Sequence, residues 1–371
     1  MPERVLITGG AGFIGRAVTF ELLRRGHSVR ILDSLIEQVH GDRRRPDDLP
    51  KEAELIVGDI RNRDVVTRAV QDVDSVIHLA AEVGVGQSMY AVERYTSVNE
   101  TGSAVLFEAL IENRVRRVVT ASSMSIYGEG LYQNADGALV EDAERKPRTS
   151  TARGWDPTDR MGRPLKPVAT PEWKRPSLAS IYALGKYVQE RQTLVMTQAY
   201  GMEGTCLRLF NVYGPGQALS NPYTGVLAIF SSRLLNGQRP MIFEDGEQRR
   251  DFVHVSDVAR AFAEALVHPS AAGEVFNIGS GVDRSVTDVA RSIARALHRN
   301  DLNPAIAGKA RIGDIRHCFC DGTKAAETLG FRATKDFDEG LAELAQWVGQ
   351  QTADDRVDEA RAELEAKGLV A

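Results

Sequence analysis

A tyrosine and a lysine stand four positions apart in the segment SIYALGKYVQERQ. On a helix, this spacing places Tyr182 and Lys186 on one face. A tyrosine has an ordinary pKa of about 10, so it serves as a base at neutral pH only where positive charge stabilises its phenolate. The ammonium of Lys186 is suited to that task. Taken alone, however, such a pair is more often found on the outer face of an amphipathic helix.

Ser123 gives the pair a chemical context. It ends the apolar run VRRVVTASS, which predicts a strand of a parallel sheet. Open α/β sheets bind their ligands beyond the carboxyl ends of the strands. A hydroxyl at that edge can share a substrate proton with Tyr182, so the three side chains together predict proton transfer in one crevice.

A glycine turn near the amino terminus indicates a second ligand. Gly9, Gly12 and Gly15 form G-x-x-G-x-x-G between an apolar strand and a helical pattern. Glycines allow the backbone to approach a pyrophosphate, whose charge is stabilised by the free amides at a helix start. A tight turn without a ligand is the alternative, but the flanking strand and helix favour a dinucleotide.

The acidic residue after the second strand favours NAD over NADP. Asp33 follows Gly15 by 18 residues, where a carboxylate can hold both ribose hydroxyls and would repel a 2′-phosphate. The arginines at 43–45 could favour the phosphate, but acidic residues follow at 47–48, which indicates a solvated loop. Asp59 ends the third strand and is expected near the adenine, although a solvent-facing carboxylate is an equally ordinary interpretation.

Apolar runs alternate with helical patterns over residues 1–212. This alternation predicts an α/β fold with a Rossmann-type, doubly wound parallel sheet. Shorter mixed segments over 213–349 predict a smaller α/β substrate-binding lobe, and the pattern leaves open a return of about 274–300 to the main domain. Residues 350–371 are expected to form a helical tail, solvated or frayed. A proline-rich excursion at 129–178 separates Ser123 from Tyr182 and is too long for an ordinary connection.

Composition excludes several classes of protein. The 371 residues include 46 basic and 51 acidic side chains, a net charge of −5 that gives no sign of nucleic-acid binding. No apolar run reaches the roughly 20 residues of a membrane span, and no leader precedes the first strand, so we expect a cytoplasmic protein. The three cysteines, Cys206, Cys318 and Cys320, are too few for a disulfide framework or a four-thiolate metal site, and we expect them to be reduced with no metal bound.

Nine short motifs follow one another between residue 5 and about residue 281: they read TGGAGFIG, GDIRNRD, HLAA, VNETGS, SSMSIYG, YALGK, LRLFNVYGPGQ, RRDFVHVSDV and FNIGSG. This series resembles the extended short-chain dehydrogenase/reductase superfamily, in its branch of NAD-dependent nucleotide-sugar epimerases and dehydratases. The resemblance implies that Ser123, Tyr182 and Lys186 are the catalytic triad. It also implies that further residues line or support the dinucleotide, namely Phe13, Ile14, Ile60, Leu79, Ala80, Ala81 and Asn99.

The resemblance further implies a site for a nucleotide-diphosphate sugar in the second lobe. Asn211 would reach the diphosphate, Arg250 and Arg311 would clamp it, and Asp314 would hold the ribose. The remaining candidates are Ile242 and Phe243 for the base and Cys318 for the space around the sugar. Solvated arginines, a core strand at Ile242 and Phe243, and a buried structural thiol at Cys318 are the alternatives.

The residues after Ser123 bear on the reaction. Dehydratases of this superfamily place an Asp-Glu pair there, whereas this chain has Met124 and Ser125. The resemblance therefore favours a 4-epimerase working through a transient 4-keto sugar. Several segments look most like bacterial dTDP-L-rhamnose 4-epimerases, which form dTDP-6-deoxy-L-talose. A UDP-sugar 4-epimerase acting on UDP-glucose, UDP-galactose or UDP-glucuronate, a sugar reductase and a non-catalytic NAD-binding regulator are the alternatives. By analogy, a homodimer is expected.

Overall fold

The computed structural model of the chain describes residues 2–41, 43–144, 154–219, 225–351 and 357–370. Residues 145–153 of the predicted excursion and 352–356 and 371 of the predicted tail lie outside the described residues. The strands are β1 (Arg4–Thr8), β2 (Ser28–Asp33), β3 (Glu54–Val57), β4 (Ser75–His78), β5 (Arg117–Ser123), β6 (Leu131–Gln133), β7 (Leu139–Val140), β8 (Lys166–Val168), β9 (Glu203–Leu209), β10 (Asn211–Tyr213), β11 (Met241–Ile242), β12 (Arg249–His254), β13 (Val275–Ile278), β14 (Asp283–Ser285), β15 (Ala305–Ile306) and β16 (His317–Cys318). The helices are α1 (Phe13–Arg24), α2 (Glu37–His40), α3 (Arg63–Ala69), α4 (Val85–Ser88), α5 (Val92–Thr96), α6 (Gly102–Glu112), α7 (Ile181–Tyr200), α8 (Val226–Leu235), α9 (Val255–Val267), α10 (Val286–Ala296), α11 (Thr323–Leu329), α12 (Phe337–Val348) and α13 (Val357–Ala366).

A seven-stranded sheet forms the main body, in the order β13-β9-β5-β4-β1-β2-β3, with every pair parallel. Its strands are short apolar runs, and all seven residues of β5 are buried, as expected for a sheet covered by helices on both faces. The chain leaves β1 toward β2 and β3, then crosses to β4 on the other side, so the strand order reverses beside β1. Ligands of such sheets bind at this reversal. The predicted Rossmann-type fold is confirmed.

A second, smaller lobe is built around β12. This strand pairs in parallel with β10 and β16 and antiparallel with β14. Its core combines apolar residues of α8, α10 and α12 with aromatic residues such as Tyr213 and Phe252. The lobe therefore has its own hydrophobic interior beside that of the main sheet.

The predicted division of the chain needs correction in detail. Strand β13 joins the edge of the main sheet by pairing with β9. Helices α9 and α11 contribute Phe262 and Leu329 to the core of the main sheet, whereas α10 contributes Ile293 to the lobe. The part of the chain that returns to the main domain thus includes α9 but excludes α10. The 3.6-residue period shows which face of a helix is buried, but it does not show against which sheet.

The described part of the excursion at 129–178 is folded onto the body of the protein. Strands β7, β6 and β8 form a small antiparallel sheet. The Thr170 amide donates to the Phe319 carbonyl (2.8 Å), and the Arg316 Nε donates to the Asp156 carboxylate (2.7 Å). Both bonds attach the excursion to the segment around β16, so this part of the excursion is integral to the fold.

The carboxyl-terminal helix is docked, contrary to the expectation of a solvated or frayed tail. Ala360 and Leu364 of α13 are buried, and the Ile312 amide donates to the Leu369 carbonyl (2.9 Å). The apolar stripe of this helix is short, which is why the sequence alone does not distinguish docking from solvation. In the described part of the chain, no helix combines the length and the apolar character needed to cross a membrane.

Candidate active site

The glycine turn after β1 leaves no room for side chains. Gly9 has φ +71°, and a Cβ added there would lie 2.8 Å from the Ala80 amide nitrogen. A Cβ on Gly15 would lie 2.5 Å from the Gly10 Cα. Gly12 caps α1 without a side-chain hydrogen bond, so the first amides of the helix remain available for an anion. This geometry fits the pyrophosphate of a dinucleotide.

Asp33 is held in place at the end of β2 by the backbone. Its carboxylate accepts hydrogen bonds from the amides of Ala11 (3.0 Å) and Leu35 (2.9 Å). The imidazole of His40 lies 3.6 Å away, and burial lowers its pKa, so it is neutral near pH 7. Asp59 is fixed differently, because the Arg61 guanidinium donates to both of its oxygens (3.0 and 2.6 Å) and lowers its pKa. Asp33 is therefore the carboxylate that the glycine turn itself orients.

The structure brings Ser123, Tyr182 and Lys186 to one place. Ser123 ends β5, and Tyr182 is the second residue of α7, whose start is capped by Ser180. Burial raises the pKa of the Tyr182 phenol, and its hydrogen bond with Ser123 partly offsets that rise. One turn further, burial lowers the pKa of the Lys186 ammonium to about 8. The phenol thus depends on its neighbours to ionise, and the ammonium is held in a poorly solvated position.

A buried polar network, which the sequence analysis missed, surrounds Lys186. The Lys186 Nζ donates to the Gln189 Oε1 (2.7 Å), and the Gln189 Nε2 donates to the Ser103 Oγ (2.9 Å). Ser103 also bonds the His78 Nε2 (2.8 Å), and burial lowers the pKa of His78 to about 3, which keeps the ring neutral. The spacing of three residues between Lys186 and Gln189 on one helix was the available signal.

Asn99, predicted to support the dinucleotide, does not line the cavity and lies in a π-helical turn, Ser97–Thr101, between α5 and α6. Its side chain accepts from the Glu82 amide (2.7 Å) and donates to the Glu82 carbonyl (3.1 Å). Local π-turns often occur at functional sites. Asn99 itself is fully buried, so its effect on the site is to hold the segment that follows β4.

Lys186→Met should change how stability depends on pH. A lysine pKa of about 8 in the folded chain, against about 10.4 unfolded, corresponds to at most about 3 kcal/mol. The charged form is disfavoured in the folded state, so the penalty is complete below about pH 8 and disappears as the pH rises toward about 10. The wild type should therefore gain stability over this range relative to the variant.

Chemical denaturation of both proteins at several pH values measures this difference. The Gln189 Oε1 loses its donor in Lys186→Met, but that cost is independent of pH and cancels from the comparison. A stability difference that stays constant from about pH 7 to about pH 10 would contradict the lowered pKa of Lys186.

A cavity of about 1300 Å³ is lined by residues predicted for both ligands. Most of the predicted residues line it: Gly9, Gly12, Phe13, Ile14, Gly15, Asp33, Asp59, Ile60, Leu79, Ala80, Ala81, Ser123, Tyr182, Lys186, Asn211, Ile242, Phe243, Arg250, Arg311 and Asp314. Among the described residues of the excursion at 129–178, none lies on its wall.

The prediction that Cys318 borders the space around the sugar needs correction, because its side chain is not on the cavity wall. It is 1 % exposed, its thiol lies 3.8 Å from the Thr170 Oγ1, and burial raises its pKa to about 12. It packs in a cluster with Cys320 and Ile315, and only Ile315 of these three reaches the cavity. Successive residues of a strand point to opposite faces, and the sequence does not show which face is turned to the ligand.

Polar groups without partners mark the lobe end of the cavity. Within the described residues, the buried side-chain oxygens of Asn211, Gln217 and Gln248 have no hydrogen-bond partner, and all three residues line the cavity. Buried polar atoms are normally satisfied, so these oxygens fit a ligand that supplies N–H or O–H donors.

The charged residues at this end are engaged with one another and with the backbone. The Arg311 Nε donates to the Asp314 carboxylate (2.9 Å), and its guanidinium lies 4.6 Å from the centre of the Phe243 ring. The Arg250 Nη1 donates to the Arg316 carbonyl (2.9 Å). An arginine stacked on an aromatic ring beside a carboxylate suits a nucleotide, whose base, ribose and phosphates need all three kinds of contact.

Comparisons with known proteins agree with this geometry. The chain matches the NAD dependent epimerase/dehydratase family over residues 5–151 and 164–279. It is 35% identical to the dTDP-L-rhamnose 4-epimerase of Burkholderia thailandensis, over 94% of this chain and 96% of that protein. Two solved structures, each 30% identical and covering 94% of this chain and 99% of their own, are the UDP-glucose 4-epimerases of Thermotoga maritima with UDP-glucose (TM-score 0.75) and of Thermus thermophilus with NAD (TM-score 0.72).

These comparisons confirm the predicted family, the isomerase class and the cofactor NAD. The glycine turn and Asp33 fit that cofactor on the geometry described above. The family match spans well over half of the chain, on both sides of the excursion. The chain therefore belongs to the NAD dependent epimerase/dehydratase family.

Proposed function

We propose that this enzyme inverts carbon 4 of a nucleotide-linked hexose, converting dTDP-L-rhamnose to dTDP-6-deoxy-L-talose. The observation that carries the choice of epimerisation over dehydration is the pair after Ser123. Met124 and Ser125 line the cavity where an elimination would need an acid and a base. The carboxylate of Glu82 also lines the cavity, but its charge is balanced by an ion pair with Arg94 (2.6 Å). It is therefore not a free acid or base for an elimination.

The residues of this chain divide the proton chemistry among them. Tyr182 removes the proton of the 4-hydroxyl, and Ser123, hydrogen-bonded to the phenol, shares that proton. Lys186 supplies the nearby positive charge that the phenolate requires. NAD, when bound, accepts hydride from carbon 4 and returns it. Once the resulting 4-keto sugar has turned over in the cavity, hydride returns to the opposite face of carbon 4 and Tyr182 gives the proton back to the oxygen on that carbon, so no cofactor is consumed.

The substrate proposal is supported by the Burkholderia relative, which is named for dTDP-L-rhamnose. The relatives named for UDP-glucose support the second candidate, a UDP-sugar 4-epimerase. The residues for the nucleotide in either case are Asn211, Ile242, Phe243, Arg250, Arg311 and Asp314, which lie together at the lobe end of the cavity. A homodimer and a cytoplasmic location remain predictions; the exposed Leu184 and Val195 on α7 offer apolar surface for pairing.

The test is to incubate the purified protein separately with dTDP-L-rhamnose, UDP-glucose and UDP-glucuronate and to separate the products chromatographically. We expect the rhamnose compound to approach a constant ratio with its 4-epimer, with no net change in the nicotinamide absorbance. Conversion of a UDP-sugar alone would replace the substrate but keep the reaction. Net loss of reduced cofactor would indicate a reductase, and no conversion of any of the three would indicate a binding protein.

A further inference from the structure

The carboxyl-terminal helix α13 forms part of the wall of the ligand cavity. Val357, Ala360, Arg361 and Leu364 all line it. They are spaced at positions i, i+3, i+4 and i+7, which is one face of a helix. The acidic residues of the helix lie off this face and are exposed. The face turned to the cavity is therefore apolar, with one arginine.

The helix spans the mouth of the cavity from one lobe to the other. Leu364 would contact a Cβ on Gly86 at 3.5 Å, in the short helix α4 that follows β4 of the main sheet. The Arg361 Nη1 lies 3.2 Å from the Met241 sulfur, next to the residues proposed for the base. A helix of ten residues is about 15 Å long, enough to cover a bound nucleotide. With α13 in this position, the helix stands between the nucleotide end of the cavity and solvent.

The segment after α13 is paired with the proposed phosphate clamp. Val370 forms a β-bridge with Arg311, and the Ile312 amide donates to the Leu369 carbonyl (2.9 Å). The same Arg311 contacts Asp314 and the Phe243 ring. The position of the carboxyl-terminal segment and the position of the clamp are therefore coupled through the backbone.

The guanidinium of Arg361 is poorly satisfied by its protein partners. Its Nη1 faces a thioether sulfur, which is a weak acceptor. Its Nε donates to Glu365 on the next turn of the same helix (3.0 Å). An arginine in a cavity wall that faces a thioether on one side can exchange that contact for the oxygens of a phosphate, which are much stronger acceptors.

The ion pairs that hold α13 to the rest of the chain have exposed carboxylates. Asp358 lies 3.2 Å from Arg233, which is itself buried, and Glu365 lies 3.4 Å from the exposed Lys309. Ion pairs that reach solvent contribute little to stability, and α13 buries only Ala360 and Leu364; segments with few buried apolar contacts open more easily than the core. The helix can therefore leave the cavity without unfolding the two lobes.

We propose that α13 closes over the bound nucleotide diphosphate, with Arg361 contacting its phosphates, and that it must open for the ligand to enter and leave. This inference rests on the proposed function, because it takes the ligand to be the nucleotide part of the sugar substrate. It assigns the carboxyl-terminal segment to the substrate site and not to the dinucleotide site.

Hydrogen exchange measured by mass spectrometry on the full-length, NAD-saturated enzyme tests the closure. If opening of α13 requires loss of the ligand, dTDP or UDP at 100 times its dissociation constant should slow exchange in residues 357–366 by up to about 100-fold. Addition of further NAD should have no such effect. Unchanged exchange in this segment at saturating dTDP and UDP would overturn the proposal, as would the absence of binding of either nucleotide.

Arg361→Ala tests the contact, with Glu359→Ala on the exposed face of the same helix as its control. We expect the dissociation constant of dTDP, and the KM of the sugar nucleotide, to rise roughly tenfold in Arg361→Ala with kcat nearly unchanged. Glu359→Ala should match the wild type. Equal values for the two variants would overturn the role of Arg361. A truncation after Gln351, checked for an unchanged melting temperature, should weaken dTDP binding at least as much.

The two proposals fail in different ways. If dTDP protects α13 but no sugar nucleotide is epimerised, the closure stands and the proposed function falls. If epimerisation proceeds in Arg361→Ala and in the truncated chain with the KM of the wild type, the function stands and the closure falls.

Discussion

Tyr182→Phe is expected to lower kcat for epimerisation by about 10² to 10⁴-fold, the usual contribution of a positioned acid or base. The substitution removes only the phenol oxygen. The hydroxyl of Ser123 then loses the phenol as a partner but keeps its hydrogen bonds with Ser125, and the ring that lines this part of the cavity remains. Binding of NAD and of the sugar nucleotide should therefore change little, so the effect should appear in kcat and not in KM.

Initial rates on the converted substrate, together with NAD content after denaturation, measure both quantities. Tyr187→Phe is the matched control: it is the same change on the same helix, at a residue that packs against the cluster of Met124 and Ile126 and does not line the cavity. Its kcat should stay close to that of the wild type. If Tyr182→Phe retained more than about a tenth of the wild-type kcat, Tyr182 would not be the base.

The parts of the site that sequence predicts are those set by local geometry. The glycine turn needs backbone that no Cβ can occupy, and the sequence shows the three glycines directly. Tyr182 and Lys186 share a face because a helix brings residues four apart together. Asp33 ends a strand whose register against β1 follows from the βαβ unit. Each of these inferences depends only on residues that are close together in the sequence.

The parts that sequence did not predict depend on contacts between distant segments. The resemblance implies that Cys318 borders the sugar, with a buried structural thiol as the alternative, and the contact with Thr170 of the excursion favours the buried thiol. The sequence pattern assigns helix α9 to the lobe, but its apolar stripe would suit either core. The weak apolar stripe of residues 350–371 predicts a solvated or frayed helix, and only the proximity of α13 to Gly86 and Met241 makes that stripe part of the cavity wall.

The largest loss of stability is expected from Arg208→Met, in the strand next to α7. The Arg208 Nε and Nη2 donate to the two oxygens of Glu190 (3.0 and 2.7 Å), and its Nη1 donates to the Glu172 carbonyl of the excursion (2.9 Å). Glu190 is 1 % exposed, so the variant leaves a buried carboxylate whose remaining side-chain donor is Ser122 (2.7 Å). Breaking a buried pair in this way costs about 3 to 5 kcal/mol.

Chemical denaturation of the wild type and the variant at about pH 7.5 measures the loss. The control is Arg4→Met, which breaks the exposed pair of Arg4 and Glu54 (2.8 Å) and should cost at most about 1 kcal/mol. The double variant Arg208→Met/Glu190→Leu should regain much of the lost stability, because it removes the buried carboxylate that has lost its partner. Glu190 lies one turn after Lys186 on α7, so the pair connects the helix that carries Lys186 to the sheet. Equal losses in Arg208→Met and Arg4→Met would show that this buried pair does not anchor the catalytic helix to the sheet.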